Sequence, residues 1–471
     1  MKMYLAGQWV ERSKRLEVRH PYDGSVVDTV PAASPADAAA GVASAVRGAA
    51  VMASLPGFER HRILYRAAAI LESRVEELAR TITLEEGKIL AEARTEASRS
   101  PEILRLSAEE AKRLHGEVIP LDGAAGGAGK LGFTLRVPCG VVVAITPFNY
   151  PSLLVLHKIG PALAAGNAVI LKPATVTPLT ALRLTEALLE AGLPAEAIQC
   201  VTGPGAELGE ALCSDPRVRK ISFTGSRVVG ERISRVAGIK KLTLELGSNA
   251  PLVLLPDADL DRVADATVAT GYTNAGQVCI STQRVLAHRD VYGDYLDALG
   301  PRVKNLTAGN PLDAGVKVGP LVSVREAERV ETWVREALAD GARLVAGGER
   351  SGALYAPTVV ADVRPEMRIS CDELFGPAVA VTRFADLDEA IALANNTEYG
   401  LSAAVFTQDI DRALKFAQTV QAGNIHINWG PQWRADLMPY GGLKESGLGK
   451  EGPRYAVEEM TELKMVVIHQ N

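Results

Sequence analysis

VVVAIT (141–146), NAVILKP (167–173), IQCVTG (198–203) and RKISFTG (219–225) are four short apolar runs, each with the pattern of a buried strand. Helical stretches such as PLTALRLTEALLEAG (178–192) lie between them. Strands alternating with helices form a parallel sheet with helices on its faces. LTLELGSNAPLVLL (242–255) then leads into a second alternating block that runs to about residue 440.

Outward from this centre, residues 1 to about 30 read as a short hairpin turning at Pro21-Tyr22-Asp23-Gly24. From Ser34 to Leu114 the pattern is helical, with apolar residues three and four apart in RILYRAAAILESRVEELARTI. Seven small residues, Gly123 to Gly129, mark a loop or hairpin tip between two units. The chain ends in TELKMVVIHQN, a strand-like tail with clustered apolar residues. No internal repeat or low-complexity linker interrupts it.

The 471 residues exceed one core and fit two or three packed domains. A net charge of -5 gives no basic field to recruit nucleic acid or an anionic membrane. No apolar run reaches the length of a bilayer span, and the N-terminus lacks the apolar core of a signal peptide. The five cysteines, Cys139, Cys200, Cys213, Cys279 and Cys371, are scattered. None belongs to a CxxC or a Cys/His cluster, so no metal is expected. Their odd number suits a reducing compartment, and the expected location is the cytoplasm.

Three residues invite chemistry. Cys279 lies in GQVCIST, an uncharged stretch between helical patterns. Alone, such a cysteine is a small buried hydrophobe or a nucleophile. Glu245, at the end of the run LTLE, is an ion-paired core residue or a tuned acid/base. Asn149 follows the strand VVVAIT, where an asparagine forms a turn or offers an amide N–H to a developing oxyanion.

TPFNYP, LKPA, FTGS, LELGSNAP, GQVC, ELFGP and PYGGLKESGLG occur in this order along essentially the whole chain. In these motifs, and in the 34-residue spacing from Glu245 to Cys279, the sequence resembles the aldehyde dehydrogenase superfamily. The resemblance implies an α/β fold with two Rossmann-type parallel-sheet domains and a small β oligomerisation segment. It divides the chain into an NAD(P)-binding domain (1–120 and 141–247), a catalytic domain (248–441) and an oligomerisation segment (121–140 and 453–471), within a homodimer or homotetramer.

The resemblance also assigns roles. Cys279 attacks the aldehyde carbonyl, Asn149 and the Cys279 backbone N–H hold the oxyanion, and Glu245 activates the water that hydrolyses the thioester. Lys158 matches another lysine common in the family. The cofactor, NADP or NAD, falls to Thr146, Pro147 and Phe148, to Lys172 and Thr175, to Gly225 and Ser226 at a strand–turn–helix, and to Glu373 and Phe375. Many NAD-preferring relatives carry glutamate where this chain has Thr175, so NADP is expected to be accepted.

For the aldehyde, the candidates are Arg105, His157 and Arg434, the last in the loop WGPQWRADLMPYGG beside Trp433. Arginine suits capture of a carboxylate, phosphate or sulfonate. IST after the cysteine and this loop look most like lactaldehyde and non-phosphorylating glyceraldehyde-3-phosphate dehydrogenases. Val278 departs from relatives that carry arginine before the nucleophile on phosphorylated substrates. A short hydroxylated or anionic aldehyde is the expected substrate. Two other readings are a coenzyme A-acylating enzyme of the same fold and a catalytically silent member with a binding role.

Overall fold

The computed structural model describes residues 1–470. The four apolar runs do form a parallel sheet. Ile198–Cys200, Ala168–Lys172, Val141–Ile145, Lys220–Thr224 and Lys241–Glu245 lie side by side in that order, all parallel. Nearly every residue in them is buried, because helices cover both faces. LTLELGSNAPLVLL holds two strands in two different sheets. Lys241–Glu245 closes the parallel set, and Pro251–Leu254 opens the second sheet.

That second sheet has seven strands in the order Arg343–Ala346, Thr358–Ala361, Ala378–Phe384, Arg284–His288, Pro251–Leu254, Ser402–Phe406 and Asn424–Ile427. All pairs are parallel except the first. Separate clusters of buried side chains pack against each of the two sheets.

The N-terminal region holds two hairpins rather than one. Met3–Leu5 and Gln8–Val10 extend the first sheet past Cys200, while Arg15–Arg19 pairs with Val26–Pro31 around the expected turn. The helical stretch becomes four helices, Pro35–Ser54, Gly57–Ser73, Val75–Glu86 and Leu90–Ala111. The first begins at a reciprocal cap in which Ser34 and Asp37 satisfy each other's backbone N–H.

Near the C-terminus, Thr461–His469 runs antiparallel to Lys130–Pro138 over nine residue pairs, and Val118–Ile119 flanks the latter. Residues 453–459 are a helix packed on the body, not part of this β segment. Between the two lies an unforeseen link. Gly447–Leu448 pairs antiparallel with Leu244–Glu245, so a segment arriving from the second sheet finishes as the edge of the first. No single helix among the described residues is long and apolar enough to cross a membrane.

Candidate active site

Glu245 and Thr224 end adjacent parallel strands, and the turn bearing Asn149 follows Val141–Ile145 one strand further on. The carboxyl ends of parallel strands are where an α/β sheet binds ligands. The nucleophile loop meets them from the other sheet. After the helix Leu260–Gly271 the chain makes a tight turn over 273–276, reaches Cys279, and enters the strand Arg284–His288. Cys279 therefore leads into a strand, not a second helix. In that turn Asn274 (φ 52°), Ala275 (φ 54°) and Gly276 (φ 70°) are all left-handed. A Cβ on Gly276 would stand 2.1 Å from the carbonyl oxygen of Gly376, so only glycine fits.

The loops converge. Asn149 Nδ2 donates to the carbonyl of Gln277 at 2.8 Å, two residues before the cysteine. An amide nitrogen carries two protons, so one remains for a ligand, and the buried Oδ1 has no partner. Cys279 Sγ lies 3.2 Å from the Tyr440 hydroxyl. Burial pushes its thiol up to about 12, and the nearby carboxylates of Glu373 and Glu245 act in the same direction.

Glu245 is buried, and neither carboxyl oxygen has a hydrogen-bond partner. Burial raises its pKa well above the usual carboxylate range. The charge of Glu451 adds to the rise, while Lys158, Arg434 and Lys450 oppose it. Gly441 makes room for this group, since a Cβ there would lie 2.8 Å from Oε1. Lys158 is fully buried and donates to Glu451 at 2.7 Å and to Ser222 at 3.2 Å. Burial alone would raise Glu451, but Lys158, Arg434 and His157 hold it at about 2.

Arg434 closes the group. Its guanidinium lies 4.0 Å over the ring of Tyr440, and Nη1 reaches Glu451 at 3.3 Å. Nε and Nη2 are buried without partners. His157, buried on the helix Leu153–Ala164, contacts Asp436 at 3.3 Å. Burial and Arg434 lower its pKa to about 4, so the ring is neutral at physiological pH. Asp436 also holds Arg99 at 2.7 Å, and Arg99 Nη2 reaches the carbonyl of Arg434.

Arg105 is not brought here. It pairs with Glu72 at the protein surface and lies near Tyr65. Arg99 and Arg105 share one helix but stand six residues apart, a rotation of about 120° around its axis. Each lies about 120° from the centre of the helix's buried face, on opposite sides, so helical phase alone does not separate them, and it is the loop carrying Asp436 that engages Arg99. Tyr440 and Glu451 carried no signal either, because folding alone brings them to Cys279 and Lys158.

A cleft of about 1000 Å³ runs from the strand ends to Cys279. Thr146, Pro147, Phe148, Lys172, Thr175, Gly225, Ser226, Glu373 and Phe375 all line it, as do Arg232, Arg325 and Arg329, which the sequence did not suggest. Lys172 donates only to the carbonyl of Pro173, and burial lowers its pKa to about 8. Thr175 Oγ1 donates to the Gly203 carbonyl at 3.1 Å. Ser226 caps the helix Arg227–Ala237 without a side-chain bond, which leaves its N-terminal N–H groups facing the cleft. Glu373 accepts the N–H of Ser248 at 2.9 Å, with its pKa raised to about 7 by burial. Phe148 and Phe375 meet edge to face at 5.9 Å. A buried lysine with free donors, an uncapped helix start, an orphaned Thr224 hydroxyl and a carboxyl near the thiol fit a dinucleotide along its length.

The model of the aldehyde dehydrogenase family matches residues 9–466, and the chain belongs to that family. It is an NAD(P)-dependent oxidoreductase that acts on aldehyde groups. It is 44% identical over 467 residues to a 3-sulfolactaldehyde dehydrogenase of Priestia aryabhattai, covering 99% of this chain and 98% of the relative. Aldehyde dehydrogenase 21 from Physcomitrella patens, in complex with the reaction product succinate, superposes with a TM-score of 0.97 at 37% identity, over 99% and 98% of the two chains. A glyceraldehyde-3-phosphate dehydrogenase from Methanocaldococcus jannaschii, complexed with NADP, does so with 0.94 at 38% identity, over 98% and 100%.

Proposed function

We propose that this enzyme oxidises a short aldehyde carrying an anionic group to the free carboxylic acid, through a thioester on Cys279. The observation that carries the substrate class is Arg434. Two of its guanidinium nitrogens are buried and unpaired, one tyrosine ring away from the nucleophilic sulfur. Buried donors without partners are rare, and an anionic oxygen of the substrate satisfies them. A carboxylate, sulfonate or phosphate on a short chain from the carbonyl suits that arrangement. The names of the relatives, a sulfonated aldehyde, a four-carbon dicarboxylate product and a phosphorylated triose, support the same class.

Each residue then has a task. Tyr440 orients the thiol by its hydrogen bond, and Cys279 attacks the carbonyl carbon as the thiolate. The free proton of the Asn149 amide and the Cys279 backbone N–H receive the developing oxyanion. The nicotinamide, when bound, supplies the hydride acceptor. Phe148, Glu373 and Phe375 hold that end of the cofactor, and Lys172, Thr175 and Ser226 hold the rest. Glu245 takes a proton from water, which attacks the acyl carbon and releases the acid. Its unpartnered oxygens leave it free for that water and favour hydrolysis over acyl transfer to coenzyme A.

We place residues 1–120 and 141–247 in the cofactor-binding domain and 248–441 in the catalytic domain. Within the segments 121–140 and 453–471, the strands Lys130–Pro138 and Thr461–His469 join subunits into a dimer or tetramer. Leu463, Met465, Val467 and Ile468 are exposed on an edge strand of their sheet, which supports that pairing. Five unpaired cysteines support a reducing, cytoplasmic location.

The test is a set of initial rates with succinate semialdehyde, glyceraldehyde 3-phosphate, lactaldehyde and propanal, with each cofactor and without coenzyme A. Charged aldehydes are expected to lead. A strict need for coenzyme A, or preference for propanal, refutes the reading. Arg434→Met is expected to lower kcat/KM for the charged aldehydes about 100-fold, the value of two hydrogen bonds to a charged group. Propanal is expected to change less than about fivefold. Equal losses on both would mean that Arg434 serves the fold alone.

For the cofactor, a phosphate near Lys172 is favoured where Thr175 leaves no negative charge. Thr175→Glu is expected to move the ratio of kcat/KM for NADP over NAD at least about tenfold toward NAD. An unchanged ratio removes Thr175 as a determinant.

A further inference from the structure

Behind the site lies a buried charged cluster that lines no part of the cofactor cleft. Lys88 follows the helix Val75–Glu86 by two residues, and its side chain is 1% exposed. Its ammonium group donates to Glu96 and to the main-chain carbonyl of Asn149, the latter at 2.7 Å, and lies 3.8 Å over the ring of Tyr150. Glu96 in turn accepts the N–H of Ser152 at 2.9 Å and of Leu153 at 3.3 Å. One ion pair thus holds both ends of the turn that carries Asn149.

The nucleophile loop is gripped from the same place. Asn274 donates its side-chain amide to the Asn149 carbonyl at 3.1 Å and to Glu86 at 2.9 Å. Its backbone N–H donates to Glu92 at 2.9 Å. With two consecutive non-glycine residues in the left-handed region, this loop keeps its shape only because its surroundings fix it. Its next carbonyls then orient the site, since Gln277 receives the Asn149 amide.

Burying an ammonium group and the carboxyl groups of Glu86 and Glu96, with Glu92 partly buried beside them, carries a desolvation penalty that apolar side chains of equal volume would avoid. Burial raises Glu86 to about 8 and Glu92 to about 7, and Lys88 makes its ion pair with Glu96. Such an arrangement stabilises the fold poorly and fixes geometry well.

We propose that Lys88 is a positioning residue for formation of the thioester: paired with Glu96, it fixes the Asn149 carbonyl together with Asn274 and so aims the Asn149 amide N–H at the oxygen of the carbonyl that Cys279 attacks. Lys88 touches neither substrate nor cofactor and acts through Asn149. The inference rests on the oxyanion role proposed for Asn149.

A double-mutant cycle tests it on the full-length enzyme. The readouts are the rate constant of the first-turnover NADPH burst, the dissociation constant for NADPH and the stoichiometry of Cys279 alkylation by iodoacetamide. Lys88→Met is expected to slow the burst at least tenfold, while NADPH binding stays within twofold and alkylation stays complete. Asn149→Ala is expected to slow it about 100-fold. The double variant is expected to be no more than twofold slower than Asn149→Ala alone, since a residue acting through another adds nothing once that one is gone. Multiplying effects overturn the role of Lys88 while leaving that of Asn149 intact. A full-rate burst in Asn149→Ala overturns the oxyanion reading itself. If Lys88→Met does not fold, Asn274→Gly takes its place in the cycle. It keeps the left-handed backbone and removes the second donor to the same carbonyl, and multiplying effects there count equally against the proposal.

Discussion

Cys279→Ala is expected to lower turnover on the order of 10⁴-fold or more, because in the proposed mechanism no other group forms the bond that turns the aldehyde into a hydride donor. Cys200→Ala and Cys213→Ala are the controls. Both thiols are buried in the core of the first sheet, and burial pushes both up to about 12. The Cys279 thiol is raised as far, so acidity does not single it out. Position does: it is the cysteine that lines the cleft and touches Tyr440. The three variants are compared by steady-state NADPH formation after NADPH titration of the folded fraction. Comparable losses in all three would mean that the nucleophile is misassigned.

Glu245→Gln is expected to separate the two halves of the reaction. The first turnover needs no water, so a burst of NADPH close to one per site should persist, while steady turnover falls about 10²- to 10⁴-fold, the worth of a general base. The pH profile carries the sign. Burial and Glu451 raise the pKa of Glu245, so its carboxylate fraction grows as pH rises, and the parent rate should climb over that range. The glutamine variant should lose this limb. Stability supplies a second check. A carboxyl whose folded-state pKa is raised stabilises the fold fully below its unfolded pKa, and the contribution is lost as pH rises through the folded value. At neutral pH glutamine removes that burden, so the variant should melt no lower than the parent. An absent burst would assign Glu245 to the acylation half instead.

The two sheets were legible because their strands are continuous apolar runs, a pattern that burial on both faces produces and little else imitates. The cofactor-side candidates from Thr146 to Ser226 fall along one cleft because strand–turn–helix junctions place their residues at a predictable edge, while Glu373 and Phe375, named from the family resemblance, reach it from a loop between a short helix and a strand. Less was legible where loops make the site. Arg434 was recognised as a candidate, yet its partners Tyr440 and Glu451, and Arg99 with Asp436, are joined by tertiary folding alone. Arg105 was named for its charge, and Arg99, which the fold brings to Asp436, was not named at all. The Lys88 cluster was missed for a related reason. EEGKILAEARTE looks like a solvated helix, and only packing on the oxyanion turn takes its charges out of water.

The order in which the chain is made gives the late link between the sheets a further meaning. Residues 447–448 complete the sheet edge beside Glu245, and Glu451 arrives at Lys158 only after them. A ribosome that has finished both sheets up to residue 427 has already made Cys279, Glu245 and Asn149. It has not yet made the arginine, the tyrosine or the second glutamate that surround them. Domains fold as units during synthesis, N-terminal first. A polypeptide truncated before residue 431 is therefore expected to hold the proposed nucleophile and yet give no first turnover.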